Sequence, residues 1–421
     1  MKLPIYMDNN ATTPVDPRVL EAMMPYFTEH FGNAASRSHS FGWKASDAVE
    51  AARGQVAELI GASPREIVFT SGATESDNLA IKGVAEMYAE RGNHIITCQT
   101  EHKAVLDTCR YLEQHGFDIT WLAPDADGRV SAQQVDQAIT DKTILVTVMA
   151  ANNETGATHP IADIGKAVRA RDVIFHTDAT QAIGKVPIDV QADEIDLLSL
   201  SAHKIYGPKG AGALFVRRRD PHVRLAIQMH GGGHERKMRS GTLNVPGIVG
   251  LGKACQLAKA EMAKDSARLG QMRDQLEQGI FDGLDFVKRN GSTEHRLPNT
   301  ANLSFAFVEG EAVMLKVRHF LAVSSGSACT SASLEPSFVL KAMRVPDDLA
   351  QTSLRFSLGR FNTPGDIDFV VEKLIAAVKE LRDMSPLYEM AMDNENVDKD
   401  KWQTWDSGYA SYFPADQGGH E

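Results

Sequence analysis

Two strand ends in this chain carry side chains that belong together chemically. The apolar run from Ile195 to Leu200 closes in Ser201, Ala202, His203 and Lys204, followed by the turn Gly207-Pro208-Lys209-Gly210. Burial of a lysine at such a strand end penalises the ammonium form and favours a neutral amine, able to form a Schiff base. Upstream, the apolar run Val173 to Phe175 ends in His176-Thr177-Asp178-Ala179-Thr180-Gln181. A lysine to hold an aldehyde and an aspartate to pair with a pyridinium nitrogen are the two groups that pyridoxal phosphate needs.

Three further segments end strands in polar chemistry. Ser71-Gly72-Ala73-Thr74-Glu75-Ser76-Asp77-Asn78 joins strand to helix, and Thr74 with Asp77 fits a capping pattern. Such a helix start either only caps itself or also holds a phosphate on its free N–H groups. Thr100-Glu101-His102-Lys103 offers a histidine that is either structural or placed to stack on a planar ring and pass protons. Asn152-Asn153-Glu154-Thr155-Gly156 is either a plain Asn/Gly turn or a source of amide contacts to cofactor or substrate. Arg355, in the strand-like Arg355 to Phe361, is either a surface arginine or a fork for a carboxylate.

Cys329 sits in Ser324-Ser325-Gly326-Ser327-Ala328-Cys329-Thr330-Ser331, a run too polar to be core. That setting suits a mobile, reactive thiolate. Cys98, Cys109 and Cys255 fall in regular-element patterns and are assigned to packing.

The elements that must position these residues alternate. Ser46 to Ile60 reads as a helix stopping at Gly61. Ile67 to Phe69, His94 to Thr97, Thr143 to Met149, Val173 to Phe175, Ile195 to Leu200 and Ala213 to Val216 read as strands, with helical stretches such as Ile161 to Arg171 between most of them. This alternation implies an α/β fold with a mainly parallel sheet, whose ligands gather at the C-terminal strand ends. Val249 to Phe281 reads as one long helix or two, leading to a second domain. That domain holds Ala301 to Phe305, the Cys329 loop, Leu354 to Leu358 and a helix from Asp366 to Leu381. The expected division is an N-terminal segment 1–15 packing with the small domain, a large cofactor domain 16–260, a small domain 261–395 and a tail 396–421. The tail scatters Trp402, Trp405, Tyr409, Tyr412 and Phe413 among polar residues, as a poorly ordered terminus or a partner-docking segment does.

Composition narrows the class. In 421 residues, 43% hydrophobic and 24% charged content describe an ordinary globular chain. A formal charge of −11, with no basic run, argues against direct nucleic-acid binding. No stretch is long and apolar enough for a membrane span, and the N-terminus does not read as a signal peptide, so a cytoplasmic location is expected. The four cysteines show no CxxC spacing, which disfavours a disulfide framework and a zinc site.

Taken together, these segments resemble the IscS/NifS-type cysteine desulfurases, in the long-loop branch of the class V aminotransferases. The likeness runs from Tyr6-Met7-Asp8-Asn9-Asn10-Ala11-Thr12-Thr13-Pro14 to Ser385-Pro386-Leu387-Tyr388. It includes Phe31-Gly32-Asn33, Ser36-Arg37-Ser38-His39, Gly231-Gly232-Gly233-His234-Glu235-Arg236, Arg239-Ser240-Gly241-Thr242, the Cys329 loop and Leu334-Glu335-Pro336-Ser337. Ala34 stands where many relatives have proline, and Thr155 where IscS-like chains often have an aliphatic residue.

The resemblance implies a pyridoxal-phosphate enzyme of the aspartate-aminotransferase fold that turns L-cysteine into L-alanine. Lys204 would hold the cofactor covalently, Asp178 its ring nitrogen and Gln181 its ring oxygen, with His102 stacked over the ring. Ala73, Thr74, Ser201 and His203 would bind the phosphate, joined by Thr242 of a second subunit in a homodimer. Asn153 would contact cofactor and substrate, Arg355 would hold the substrate carboxylate, and Cys329 would receive the sulfur. The implied acceptors are an IscU-like iron–sulfur scaffold and other sulfur carriers, among them a tRNA-thiolation relay. No resident metal is implied, Cys329 being the one residue able to ligate an iron–sulfur cluster transiently with a scaffold. The competing readings are a selenocysteine lyase or an aminotransferase on the same fold, neither of which explains the Cys329 loop as well, or a non-catalytic cofactor-binding scaffold protein.

Overall fold

The computed structural model describes residues 2–325 and 336–393. A seven-stranded sheet forms its centre, built from β2 (Ile67–Thr70), β3 (His94–Cys98), β4 (Asp118–Leu122), β5 (Thr143–Thr147), β6 (Ile174–Asp178), β7 (Leu197–Ser201) and β8 (Gly212–Val216). A two-residue strand, β1 (Ile5–Tyr6), precedes them in the chain. The spatial order is β2-β8-β7-β6-β5-β3-β4. Only β8 runs against its neighbours, β2 and β7; all other pairs are parallel. Strands β2, β3, β5, β6, β7 and β8 are buried at every position, as strands covered on both faces must be.

One face carries the helix Ala73–Met87, whose Leu79, Ala80, Ile81 and Val84 pack with Val68, Ile95, Leu145 and Leu214. The other carries the helix Ser40–Leu59, with Ala45, Val49, Ala52 and Val56 turned inward at helical spacing. This helix starts six residues before the expected Ser46, because the His39 imidazole accepts from the Gly42 N–H and caps it there. Buried Arg53, on the same helix, forks onto Glu235 at 2.7 and 2.8 Å, and Glu235 also accepts from the Phe69 N–H. The loop Gly231–Arg236 is thereby pinned to β2.

The stretch read as one long helix or two is a single helix, Val245–Gly283. Pro246 sits in its first turn, and Asn244 caps it by accepting from the Gly247 N–H. At 1.5 Å per residue it is about 58 Å long. Its first half packs on the large core through Ile248, Leu251 and Ala254. Gly252 lets it approach closely, since a Cβ there would meet the Ala52 Cα at 2.6 Å. Its second half, through Leu269, Met272, Leu276 and Ile280, enters a separate core with Ile367, Val370 and Leu374 of the helix Pro364–Arg382. The helix therefore runs unbroken through residue 260.

That second core lies on a four-stranded antiparallel sheet of β9 (Val287–Arg289), β10 (Thr300–Phe305), β12 (Ser324–Ser325) and β13 (Ser353–Ser357). Strand β1 pairs with β11 (Leu321–Ala322), so the N-terminal segment joins this part of the molecule. Among the described residues no helix is long and apolar enough to cross a membrane, and no cluster of three or more His, Cys, Asp or Glu could hold a metal ion.

Candidate active site

The sequence-predicted residues converge where the parallel strands end. Asp178 is the last residue of β6 and Ser201 the last of β7, with Asp178 opposite Ser199 in register. Beyond Ser201 the chain makes one 3-10 turn, Ala202–Lys204, which turns Lys204 back towards the N-terminal segment. Lys204 Nζ donates to the Asn10 carbonyl and to the Ala11 carbonyl, the latter at 2.8 Å. Gln181 is buried, and its Nε2 donates to the same Asn10 carbonyl at 2.9 Å. Asp178 accepts from the Thr180 N–H at 2.9 Å, which orients its carboxylate.

His102 caps the helix Lys103–Glu113, with Nδ1 accepting from the Ala104 N–H at 3.1 Å. That bond leaves Nε2 as the nitrogen that carries the proton of a neutral ring. Burial holds the imidazole below its ordinary value, opposed by the Asp178 carboxylate and assisted by Lys204. His203 is pushed down to about 4 by burial and then by the charges of Lys204, Lys209 and Lys185. Its Nδ1 lies 3.1 Å from the Thr12 hydroxyl.

The helix Ala73–Met87 begins with Gly72 at its cap position, and no side chain caps it. The capping pattern of Thr74 with Asp77 is not realised, because the helix starts before Thr74. Asp77 is fully buried inside it, with His176 Nε2 3.6 Å from its Oδ1. The first N–H groups, at Ala73 and Thr74, are those a helix leaves without an intrahelical acceptor. Ser201 Oγ faces this turn, 3.8 Å from where a Cβ on Gly72 would lie. An uncapped helix start beside a serine, with a lysine and a carboxylate at neighbouring strand ends, fits a phosphorylated pyridine aldehyde.

Arg355, on β13, is buried. Its guanidinium donates to Asp8 at 2.7 Å and to the Asn153 carbonyl at 3.0 Å, while its Nε has no partner among the described residues. Asn153 also receives Asn10 Nδ2 on that carbonyl, at 3.2 Å. Asn152 builds the turn, its Oδ1 accepting from the N–H groups of Glu154 and Thr155. Thr155 is buried and its hydroxyl accepts from the Ala157 N–H, so the departure from an aliphatic residue is absorbed within the turn. Thr242 is exposed, away from the other site residues in the sequence and on the loop before the long helix.

Cys329 and the tail after Asp393 lie outside the described residues. The residues flanking the Cys329 segment are held beside Arg355. Ser324 donates to Asp8 at 2.9 Å and pairs in register with Arg355, and Ser337 donates to Glu154. The other three cysteines are buried, and burial pushes their thiols up, Cys98 to about 12.

Sequence reasoning did not single out Asp8, Asn10, Asp77 or Glu101 as site residues. Glu101 is buried behind the site, accepting from the Met149 N–H at 2.6 Å, with its other oxygen unpartnered among the described residues. Burial pushes the carboxyls of Asp77 and Glu101 well above the usual range, and the Asp178 charge adds to this in both. A buried acid following a capping residue carries no local signal that it is anything but a cap. The polar run Asp8-Asn9-Asn10 after an apolar triplet was a usable signal for the N-terminal contribution.

Comparison with known proteins agrees with this geometry. Residues 5–370 match the family described as "Aminotransferase class-V". The chain belongs to that family. A cysteine desulfurase IscS of Anaeromyxobacter dehalogenans is 60% identical over 402 residues, covering 96% of this chain and 99% of that protein. One of Proteus mirabilis is 57% identical over 404 residues, with the same coverage. Among solved structures, a NifS-like protein superposes with a TM-score of 0.83 at 38% identity, over 90% of this chain and 100% of its own. A structure titled "SspA in complex with cysteine" gives a TM-score of 0.75 at 41% identity, over 85% and 99%. Class-V membership makes this a pyridoxal-phosphate enzyme, with the α/β large sheet and smaller C-terminal part seen here.

Proposed function

We propose that this chain is a cysteine desulfurase that converts L-cysteine to L-alanine and carries the released sulfur on Cys329. The observation that supports it most is the meeting of Lys204, Gln181 and the Asn10 carbonyl beside Asp178, with the ends of the Cys329 segment anchored next to Arg355. Lys204 would hold the cofactor, Asp178 its ring nitrogen, Gln181 its ring oxygen and His102 one ring face. Ala73, Thr74, Ser201 and His203 would receive its phosphate. When bound, pyridoxal phosphate supplies an electron sink for chemistry at the substrate Cα.

The protein's own steps follow from its groups. The Lys204 amine takes the Cα proton of cysteine, and the neutral His102 is placed to hold or return a proton at Nε2. Arg355 offers the substrate carboxylate its Nε, which has no partner among the described residues, with Asn153 beside it. The Cys329 thiolate attacks the substrate sulfur; the carbon–sulfur bond breaks with its electron pair left on carbon, a sulfur–sulfur bond forms on Cys329, and the carbon skeleton takes up one proton at Cβ and regains one at Cα to leave as alanine. The persulfide then passes to an acceptor, for which an iron–sulfur scaffold protein and a tRNA-thiolation carrier are the candidates, in the cytoplasm.

We further propose a homodimer. Phe31, Phe41 and Trp43 stay exposed, at 64%, 47% and 55%, as an apolar group that a second copy would cover. Exposed Thr242 would then reach the partner's phosphate site. The division into segments 1–15, 16–260, 261–395 and 396–421 is retained as a proposal, with the long helix as the shared spine.

The deciding experiment supplies L-cysteine and a thiol reductant to the purified, cofactor-loaded protein and measures alanine and sulfide. Equal amounts of both are expected. Alanine without sulfide, or neither, would overturn the reading; preference for selenocysteine by orders of magnitude would favour the lyase alternative.

A further inference from the structure

Lys185 follows the turn after Asp178, and the reading above gives it no role. Although the residue keeps some exposure, its amine is turned inward and donates to Gln181 Oε1 at 3.0 Å. This fixes the Gln181 amide with its Nε2 on the Asn10 carbonyl, where Lys204 Nζ also donates. Two lysine amines are thus linked through one amide and one carbonyl. Both lysines also line a cavity of about 20 Å³, walled further by Asn9, Thr13 and Tyr206. A cavity of that size accommodates about one water.

The charges around Lys185 are mostly of its own sign. Lys204 comes from the turn after β7, beside a His203 that burial keeps neutral near pH 7, Arg355 from β13, and Arg360 with Asp265 from the cavity wall. Asp265, the acid among them, is paired with Arg360 at 3.0 Å, and Tyr206 is held above its ordinary value by burial. Burial lowers the Lys185 amine to about 7, and the charges of Lys204 and Arg355 act in the same direction.

We propose that Lys185 is a positioning residue of this active site, orienting the Gln181 amide and tuning, through its own charge, how readily the nitrogen of Lys204 holds a proton. The inference rests on the reading of Lys204 as the residue that holds pyridoxal phosphate. Its sign is fixed by electrostatics: a cation at position 185 disfavours a second one at position 204. A merely structural lysine would hold Gln181 and leave the titration of its neighbour alone.

The test is the pH titration of the visible cofactor absorbance in the loaded wild type, Lys185→Met and Lys185→Arg, with thermal unfolding to confirm that each folds. Lys185→Met should move the midpoint up by about one pH unit, and Lys185→Arg, a permanent cation, should move it down. If arginine does not fit, Lys185→Gln separates the two roles, since it is neutral yet can donate to Gln181; it should share the upward shift. Midpoints unchanged in the methionine and glutamine variants would overturn the inference while leaving the cofactor reading intact. Absence of any visible band in the reconstituted wild type would overturn that reading and this inference with it.

Discussion

Lys204 and Gln181 share one acceptor, the backbone carbonyl of Asn10. Residues from a strand-end turn of the large sheet and from the loop after β6 are therefore positioned by a third element, the N-terminal segment. Asn10 is itself held from elsewhere, its side chain donating to Thr300 at 2.9 Å and accepting from Asn299 at 3.2 Å. The amine on which the proposed chemistry depends is thus located by both halves of the molecule.

Lys204→Ala should accordingly abolish alanine formation, by at least about a thousandfold, since it removes both the cofactor's anchor and the Cα base. The visible absorbance of the loaded protein should vanish, with no product trapped by borohydride. A fully active Lys204→Ala protein would end the pyridoxal reading.

The contacts of Arg355 predict a split between binding and turnover. Its fork is already fixed by Asp8 and the Asn153 carbonyl, which leaves Nε as the donor without a partner among the described residues. Arg355→Lys keeps a charge for Asp8 but loses the planar donor array. KM for L-cysteine should rise about 10- to 100-fold, with kcat reduced much less. Steady-state kinetics decide it; an unchanged KM would place the carboxylate elsewhere.

Glu154 predicts how stability depends on pH. It is fully buried, receives the Ser337 hydroxyl, and burial raises its carboxyl from 4.5 to about 7. Between those values the folded protein holds a proton that the unfolded chain has released, so stability falls as pH rises through this window. The shift corresponds to roughly 3 kcal/mol, absent below the window and fully expressed above it. Glu154→Gln removes the titration. Its stability relative to wild type should grow between pH 5 and pH 7.5 in urea unfolding, where depressed histidines such as His176 cancel in the difference. A constant difference across that range would contradict the assignment.

How much of this was readable beforehand depended on whether the signal was local. Asp178 and Lys204 end buried apolar runs, so their strands and their placement at strand ends were legible. Strand β4 was not, because its Asp118, Ile119, Thr120 and Trp121 lie at the open edge and lack an apolar run. The reversal of β8 was also hidden, since a buried strand reads the same in either direction. The Thr74–Asp77 capping pattern misled because Gly72, with no side chain, starts the helix instead. Asp8 and Asn10 act on residues more than a hundred positions away, and periodicity carries no information at that range.

The last prediction concerns which cysteine takes the sulfur. Cys98, Cys109 and Cys255 are buried, and burial holds their thiols protonated at neutral pH. A thiol kept protonated and covered cannot act as a nucleophile towards substrate sulfur. Cys329, in its Ser/Gly/Ala/Thr run, is the remaining candidate. Cys329→Ser should retain the visible cofactor band and still show a spectral change on adding L-cysteine, because neither depends on the thiol. It should form no protein persulfide and almost no alanine, since serine is a far poorer nucleophile towards divalent sulfur. Mass spectrometry after cysteine treatment, in wild type and in each cysteine variant, measures this directly. Extra sulfur on Cys98, Cys109 or Cys255 that survives the loss of Cys329 would show that burial does not select the acceptor.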